Sequence, residues 1–327
     1  MNDLNLPADF IKNIHNSFDE QGVQFIKDLP RLVNESSLIW NLRDVRTVSN
    51  LSYNYVAFAK RADVDVVLKI GVPNPELNSE IAALNLFNGD GACQLLGSDE
   101  ERGFLLLERL NPGTMLADLR DDDERTNIAI DVMQRIWREI PSASFAPAAL
   151  LAGEEGASSN EKFIKLSDWF DALKKVRPRF NGGTGPFPKI IFERVESLLP
   201  GLFADENVKL IHGDFHHFNV LSSERGWLVI DPKGVIGPVG YEIGPLMMNP
   251  WGSISDGIRP ALSMIEGFKA QTKRRMSILS ERVGWEQETI LNWATAHAVL
   301  SAWWDMHEDG TGGEYSLWCA EMFSEIN

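Results

Sequence analysis

A chain of 327 residues with ordinary apolar, charged, Gly and Pro content has room for two lobes, each with its own core. Its 47 acidic and 31 basic residues give a formal net charge of -16, which repels nucleic acid and anionic membrane at long range and draws in cationic ligands. Cys93 and Cys319 supply neither a disulfide framework nor a zinc ligand set. With no apolar run of spanning length, and no basic region leading into an apolar core at the start, the expected compartment is the cytoplasm.

Residues 8–40 place apolar side chains at helical spacing in FIKNIHNSF and QFIKDLPRLV, which predicts short helices with Pro30 breaking or kinking the second. RDVRTVS (43–49), NYVAFAKR (54–61) and DVDVVLKI (63–70) carry the β-branched and aromatic residues of strands, with the turn-like cluster NLSYN (50–54) between the first two. PELNSEIAALNLF (75–87) reads as an amphipathic helix, opened by Pro75 and closed near Gly89. FLLLERL (104–110) is a further apolar strand. NPG at 111–113 breaks the pattern, and the division between a strand-rich part (1–111) and a larger helical part (112–327) is placed there. In the second part MLADL (115–119), residues 124–140, 163–176 and 189–203 read as helical, and GEEGASSN (153–160) as a polar loop. NGGTGPFP (181–188) lacks the order of a phosphate-binding loop and has Pro186 where backbone donors are needed, so it reads as a connector. Two short strands are expected around VKLIHGDFHHFNVL (208–221) and GWLVIDPKG (226–234). The order is α+β with two lobes, without the βαβ alternation of a dinucleotide-binding sheet.

Chemistry concentrates in the second part. Asp214 and Asn219 stand five apart on a loop after a strand, and Asp231 closes the apolar strand WLVI twelve residues later. Phosphoryl transfer needs a carboxylate to orient the attacking hydroxyl and hard oxygen ligands for magnesium. The spacing matches a kinase catalytic loop followed by a metal-binding Asp. Lys69, at the end of VVLKI, precedes Glu80 by eleven residues. A strand lysine that holds phosphates and a helix glutamate that holds the lysine fit the same chemistry. His212, His216 and His217 lack zinc-ligand spacing and have no Cys nearby; His212 is expected to brace the loop, and either His216 or His217 to face the site. Lys233 could meet a phosphate or the surface. Glu242, in GYEIG, is expected to cap backbone N–H groups of the catalytic loop.

LIHGDFHHFNVL, WLVIDPKGVIGPVGYEIGPLMMNP and RFNGGTGPFPK together resemble the aminoglycoside/hydroxyurea antibiotic-resistance kinases, the group that includes streptomycin 6-kinases, from about Leu6 to the C-terminus. The resemblance implies a protein-kinase-like two-lobed fold with ATP in the cleft. It implies Asp214 as catalytic base, Asn219 and Asp231 as Mg2+ ligands, Lys69 on the ATP phosphates paired with Glu80, and Glu108, Arg109 and Leu110 as the hinge beside adenine. Two departures from protein kinases stand out. IDPKG replaces the Phe-containing switch, and the glycine-rich loop is missing, with glycine-free NLSYN in its place.

The acceptor is expected to be a small cation, an aminoglycoside of the streptomycin type. The alternatives are a housekeeping sugar or amino-sugar kinase and a non-catalytic kinase-like binding protein. ILNWATAHAVLSAWWDMHEDG (290–310) reads as one helix with Leu291, Ala294, Ala298 and Ala302 on its buried stripe and Asp305 next on it. Asp305 and Glu308, beside Trp303 and Trp304, offer an acidic and aromatic wall for ammonium or guanidinium groups. The other reading pairs Asp305 with an internal Arg or leaves it in solvent. Nothing in the sequence speaks to oligomeric state.

Overall fold

The computed structural model describes residues 4–140, 162–250, 262–307 and 310–326; the polar segment 153–160 and Glu308 lie outside them. Helix α1 (Ala8–Trp40) is interrupted at Asp19, with φ 46° and ψ −128°, and not at Pro30, which is accommodated inside the helix. The turn at Asp19 is tight because Gly22 follows: a Cβ there would sit 2.4 Å from the Ile14 carbonyl oxygen. Phe10, Ile14, Phe25 and Leu29 of α1 pack on Tyr55, Leu68, Ile70 and Phe104 of the first sheet.

That sheet is antiparallel throughout, in the order β1 (Leu42–Thr47), β2 (Tyr55–Arg61), β3 (Val64–Ile70), β5 (Phe104–Glu108), β4 (Leu95–Asp99). β4 was not expected, since it shows no alternation of burial to reveal it. Lys69 lies opposite Val56 on β2 and Leu105 on β5, so its position along the cleft is set by two ladders. Helix α2 (Pro75–Phe87) has the expected bounds. The Asn74 side chain accepts from the N–H groups of Glu76 (2.8 Å) and Leu77 (3.0 Å), Pro75 supplies the first turn, and Asn88 closes it in the left-handed region. The helix is not amphipathic, however. Eight of its thirteen residues are buried, among them Ser79 and Glu80, because it is wedged between the sheet and the catalytic strands.

The remainder is mostly helical, around two small sheets. One has the order β10 (Gly226–Val229), β9 (Val220–Ser223), β6 (Pro112–Met115); the other is β7 (Ile164–Lys165), β11 (Val235–Pro238), β8 (Val208–Ile211). Four strands therefore occupy 208–238 where two were expected. Residues 115–119 are a strand end and a single 3-10 turn, not a helix. Helices α3 (Asp122–Ile136), α4 (Leu166–Asp171), α5 (Val176–Arg179), α6 (Lys189–Leu202), α7 (Ile243–Met248), α8 (Leu262–Val283), α9 (Gln287–Asp305) and α10 (Glu314–Ser324) complete the fold. Buried Arg275 ties three of them together. Its guanidinium donates to both Asp122 carboxylate oxygens (2.7 and 3.0 Å) and to the carbonyls of Leu246 (3.0 Å) and Asn249 (2.5 Å). Helix α9 runs through the core, with Trp293, Ala294, Ala298 and Ala302 buried.

Candidate active site

Four elements converge on one cleft. β3 delivers Lys69, α2 delivers Glu80, and the loops after β8 and β10 deliver Asp214, Asn219 and Asp231. The Lys69 ammonium is 2.7 Å from both Glu80 carboxylate oxygens and also donates to Asp231 Oδ1. Burial would depress the Lys69 pKa, but Asp231 and Glu80 outweigh it and hold the ammonium charged.

The loop around Asp214 is braced from both ends. Gly213 takes φ 86°, and a Cβ there would sit 2.5 Å from Val235 Cγ2. The His212 ring is 2.9 Å from the Ile230 carbonyl, and its Nδ1 accepts from the Asp214 N–H at 3.2 Å. Burial pushes this imidazole down to about 4, so it is neutral and structural. Asn219 Nδ2 donates to the Asp214 carbonyl at 3.0 Å and lies 3.3 Å from His216 Nε2. Of the two histidines that could face the site, His216 does so, 3.5 Å from Asp214 Oδ2; His217 is fully buried. Burial alone would raise the Asp214 carboxyl, but His216, then Lys233 and His212, hold it well below the usual carboxylate range. Its side chain is 37% exposed, open enough for an acceptor hydroxyl to reach.

Asp231 sits in the left-handed region, φ 59°, which turns its carboxylate toward Lys69 and away from the axis of β10. The Lys233 ammonium is 3.2 Å from its other oxygen. Because the Asn219 amide nitrogen is taken by the loop, its amide oxygen is the atom suited to serve as a metal ligand. One carboxylate and one amide oxygen suit magnesium, which keeps several waters and takes its other ligands from substrate phosphates.

Ser79 of α2, beside Glu80, donates its hydroxyl to the Gly234 carbonyl at 2.6 Å. Gly234 has φ 65°, and a Cβ there would lie 2.5 Å from the Ser79 carbonyl oxygen. The helix carrying Glu80 is thereby pinned to the strand exit carrying Asp231.

At the sequence level, residues 41–310 match the family model described as aminoglycoside/hydroxyurea antibiotic resistance kinase. The chain belongs to this family. Among its relatives are the streptomycin 6-kinase of Streptomyces griseus, 28% identical over 94% of this chain and 92% of that one, and the hydroxyurea phosphotransferase of Kitasatospora aureofaciens, 27% identical over 94% and 82%. The fold matches a crystal structure of aminoglycoside phosphotransferase APH(4)-Ia with a TM-score of 0.57 at 12% identity, over 90% of this chain and 97% of that one. The protein is thus a kinase of hydroxyl groups with the protein-kinase-like fold.

In this kinase the side chains of the expected hinge are used locally. Glu108 accepts from the Gln94 N–H (2.9 Å) and from Arg225 Nη2 (2.5 Å), and the Arg109 guanidinium lies 4.0 Å from the centre of the Phe58 ring. Leu110 is buried. Only backbone groups of 108–110 are left to meet a planar base.

Beyond Asp214 the expected acceptor wall is rearranged. Helix α9 ends at Asp305, which is exposed, so the buried stripe runs out one step before it. Asp305 has no ion pair with an arginine among the described residues. Crowding by the surrounding chain, then Glu314, raise its carboxyl above its ordinary value. Trp303 is covered by Arg179, whose guanidinium is 5.4 Å from the ring centre. Trp304 is 45% exposed and stands edge-on to Trp169 at 5.2 Å. Trp169 was not foreseen as a site residue. It comes from α4, and its ring edge would be 3.2 Å from a Cβ on Gly213, so the aromatic corner abuts the catalytic loop. Burial, then the charge of Asp305, raise the Tyr53 phenol in the β1–β2 tip above its ordinary value.

Glu242 performs its expected role. One carboxylate oxygen accepts from the N–H groups of His212 and Gly213, the latter at 3.2 Å. Burial raises its pKa to about 8, against the pull of those two donors. Glu242→Ala leaves two buried donors without an acceptor and should cost about 1–3 kcal/mol, whereas Glu242→Gln keeps an acceptor oxygen and should cost much less. Because the folded-state pKa is raised, the stability linked to Glu242 is full below the usual carboxylate range and drains away as pH rises through about 8. Chemical denaturation across pH 4–9 checks both points. An alanine variant as stable as wild type would remove the strut, and a glutamine variant with an unchanged pH profile would remove the titration.

Proposed function

We propose that this kinase transfers the γ-phosphoryl of ATP to a hydroxyl of a small cationic acceptor, an aminoglycoside of the streptomycin type, in the cytoplasm where ATP is supplied. The adenine lies along the backbone of 108–110, at the boundary between a nucleotide-binding lobe (to residue 111) and an acceptor-binding lobe (from 112). Lys69, oriented by Glu80, holds the α- and β-phosphates. Asn219 and Asp231 would hold magnesium, which would neutralise charge on the phosphates. Asp214 orients the acceptor hydroxyl. The hydroxyl oxygen bonds to the γ-phosphorus, the bond from phosphorus to the β–γ bridging oxygen breaks, ADP leaves, and the hydroxyl proton passes to Asp214 and then to solvent. A carboxylate held so far below its usual range is a weak base, which suits a loose transition state in which the proton moves late.

The observation that carries the acceptor reading is Asp305. It is an exposed carboxylate without an arginine partner among the described residues, beside the Trp304–Trp169 corner that touches the catalytic loop. A cation in that corner gains ion pairing and a ring-face contact of about 0.5–2 kcal/mol. The net charge of -16 adds long-range attraction.

An acceptor panel read by ADP release tests it: streptomycin, hydroxyurea and neutral sugars. Streptomycin should be preferred, its KM should rise with ionic strength, and Asp305→Asn should raise that KM roughly two- to fivefold while KM for ATP stays put. A neutral best acceptor with a salt-independent KM would overturn the cationic reading in favour of a sugar or hydroxyurea kinase.

A further inference from the structure

Lys233 is the second residue after Asp231, and the fold fixes it tightly. Its N–H donates to the His212 carbonyl at 2.7 Å, and its Cβ would lie 3.2 Å from a Cβ on Gly213. The residue is thereby clamped between the exit of β10 and the catalytic loop. Its side chain is 27% exposed, and the ammonium is 3.2 Å from Asp231 Oδ2 while Lys69 takes Oδ1. Burial opposes its charge, but Asp231, Asp214 and Glu80 outweigh it and keep it protonated. The ammonium therefore stands against Asp231, the carboxylate suited to a metal, and in the field of Asp214, whose loop packs on the Lys233 backbone. A phosphoryl group in transfer lies between the metal-bound phosphates and the attacking hydroxyl.

The transferring group carries charge on three equatorial oxygens and needs donors for them. Kinases commonly draw some from the backbone N–H groups of a glycine-rich loop that covers the phosphates. Here the tip at 50–54 has no glycine, so its side chains hinder the close backbone approach that such a loop makes. Lys69 is committed to Glu80 through both carboxylate oxygens. Among the described residues Lys233 is the other ammonium in contact with Asp231, a residue that nucleotide binding would engage.

We infer that Lys233 is a catalytic residue which, once nucleotide is bound, turns from Asp231 to the γ-phosphoryl oxygens and stays on them through transfer, replacing the missing glycine-rich loop. The inference rests on the kinase reading of the cleft.

Calorimetry with ADP and with a non-hydrolysable ATP analogue, each with magnesium, separates the γ-phosphate from the rest of the nucleotide. Lys233→Met should weaken the analogue roughly 10- to 100-fold, the worth of a charged hydrogen bond, and change ADP affinity less than about twofold. Turnover should fall roughly 10²–10³-fold, as for loss of one transition-state donor. Lys233→Arg should recover most of the analogue affinity. Lys233→Gln gives the same comparison if the Met variant does not fold. Equal weakening of both nucleotides would overturn the inference and leave Lys233 as a prop for Asp231; unchanged affinity for both would make it a surface charge. A wild-type chain that binds neither nucleotide would overturn the kinase reading itself, and the inference with it.

Discussion

Asp214→Asn should lower kcat by roughly 10²–10⁴, the range for losing a positioned proton acceptor, with nucleotide and acceptor affinity almost unchanged. The loop is held by the Asp214 carbonyl, which accepts from Asn219, and by the neighbouring N–H groups on Glu242 and His212. The Asp214 carboxylate adds only two long contacts at 3.5 Å, to Asn219 Nδ2 and His216 Nε2, so the amide should keep the loop in shape. The variant loses the charge that orients the hydroxyl and receives its proton, both of which matter mainly in the transition state. Steady-state kinetics with the best acceptor decides it. Near wild-type turnover would strip Asp214 of its role and require another group to position the hydroxyl.

The second large effect concerns the buried pair. Lys69→Met should reduce kcat by roughly 10²–10³ and raise KM for ATP, since it removes a preorganised cation from the phosphates. It should also destabilise the fold by about 3–5 kcal/mol, because Glu80 is left charged and buried. Glu80→Gln should be milder in both respects: Lys69 keeps Asp231 but loses its orientation. The informative variant is the double one. With the charge pair gone there is no orphan, so Lys69→Met/Glu80→Gln should be no less stable than Lys69→Met alone and no less active. Strictly additive losses would mean that the two side chains act independently despite their contact.

Residues whose positions follow from loop spacing and strand ends were legible in the sequence. Asp214, Asn219 and Asp231 come together because a loop and a strand exit impose their geometry locally, and helix α2 announces itself through Pro75 and Gly89, while its Asn74 and Asn88 caps emerge only in the structure. What escaped was non-local or lacked a period. β6 and β7 are four and two residues long, too short for alternation to register. The interruption of α1 falls on Asp19, a poor helix former but a far weaker sequence signal than proline, so Pro30 drew attention instead. Asp305 was assigned to a buried stripe by extending a helical period past the last residue the core covers. Trp169 reached the catalytic loop only through the packing of α4, for which no local pattern exists. Lys233 could be read either way until the catalytic loop and the exit of β10 clamped it beside Asp231.

The bond from Ser79 to Gly234 has a consequence for control. Protein kinases gate themselves by swinging the glutamate-bearing helix away from the lysine and by reordering the segment after the metal-binding Asp. Here those two moving parts are fastened to each other, and no side chain fits at Gly234 to pry them apart. Withdrawing Glu80 would drag the Asp231 loop with it and break buried contacts on both sides. A helix and a metal loop joined this way move as one piece, which works against the separate swinging of either.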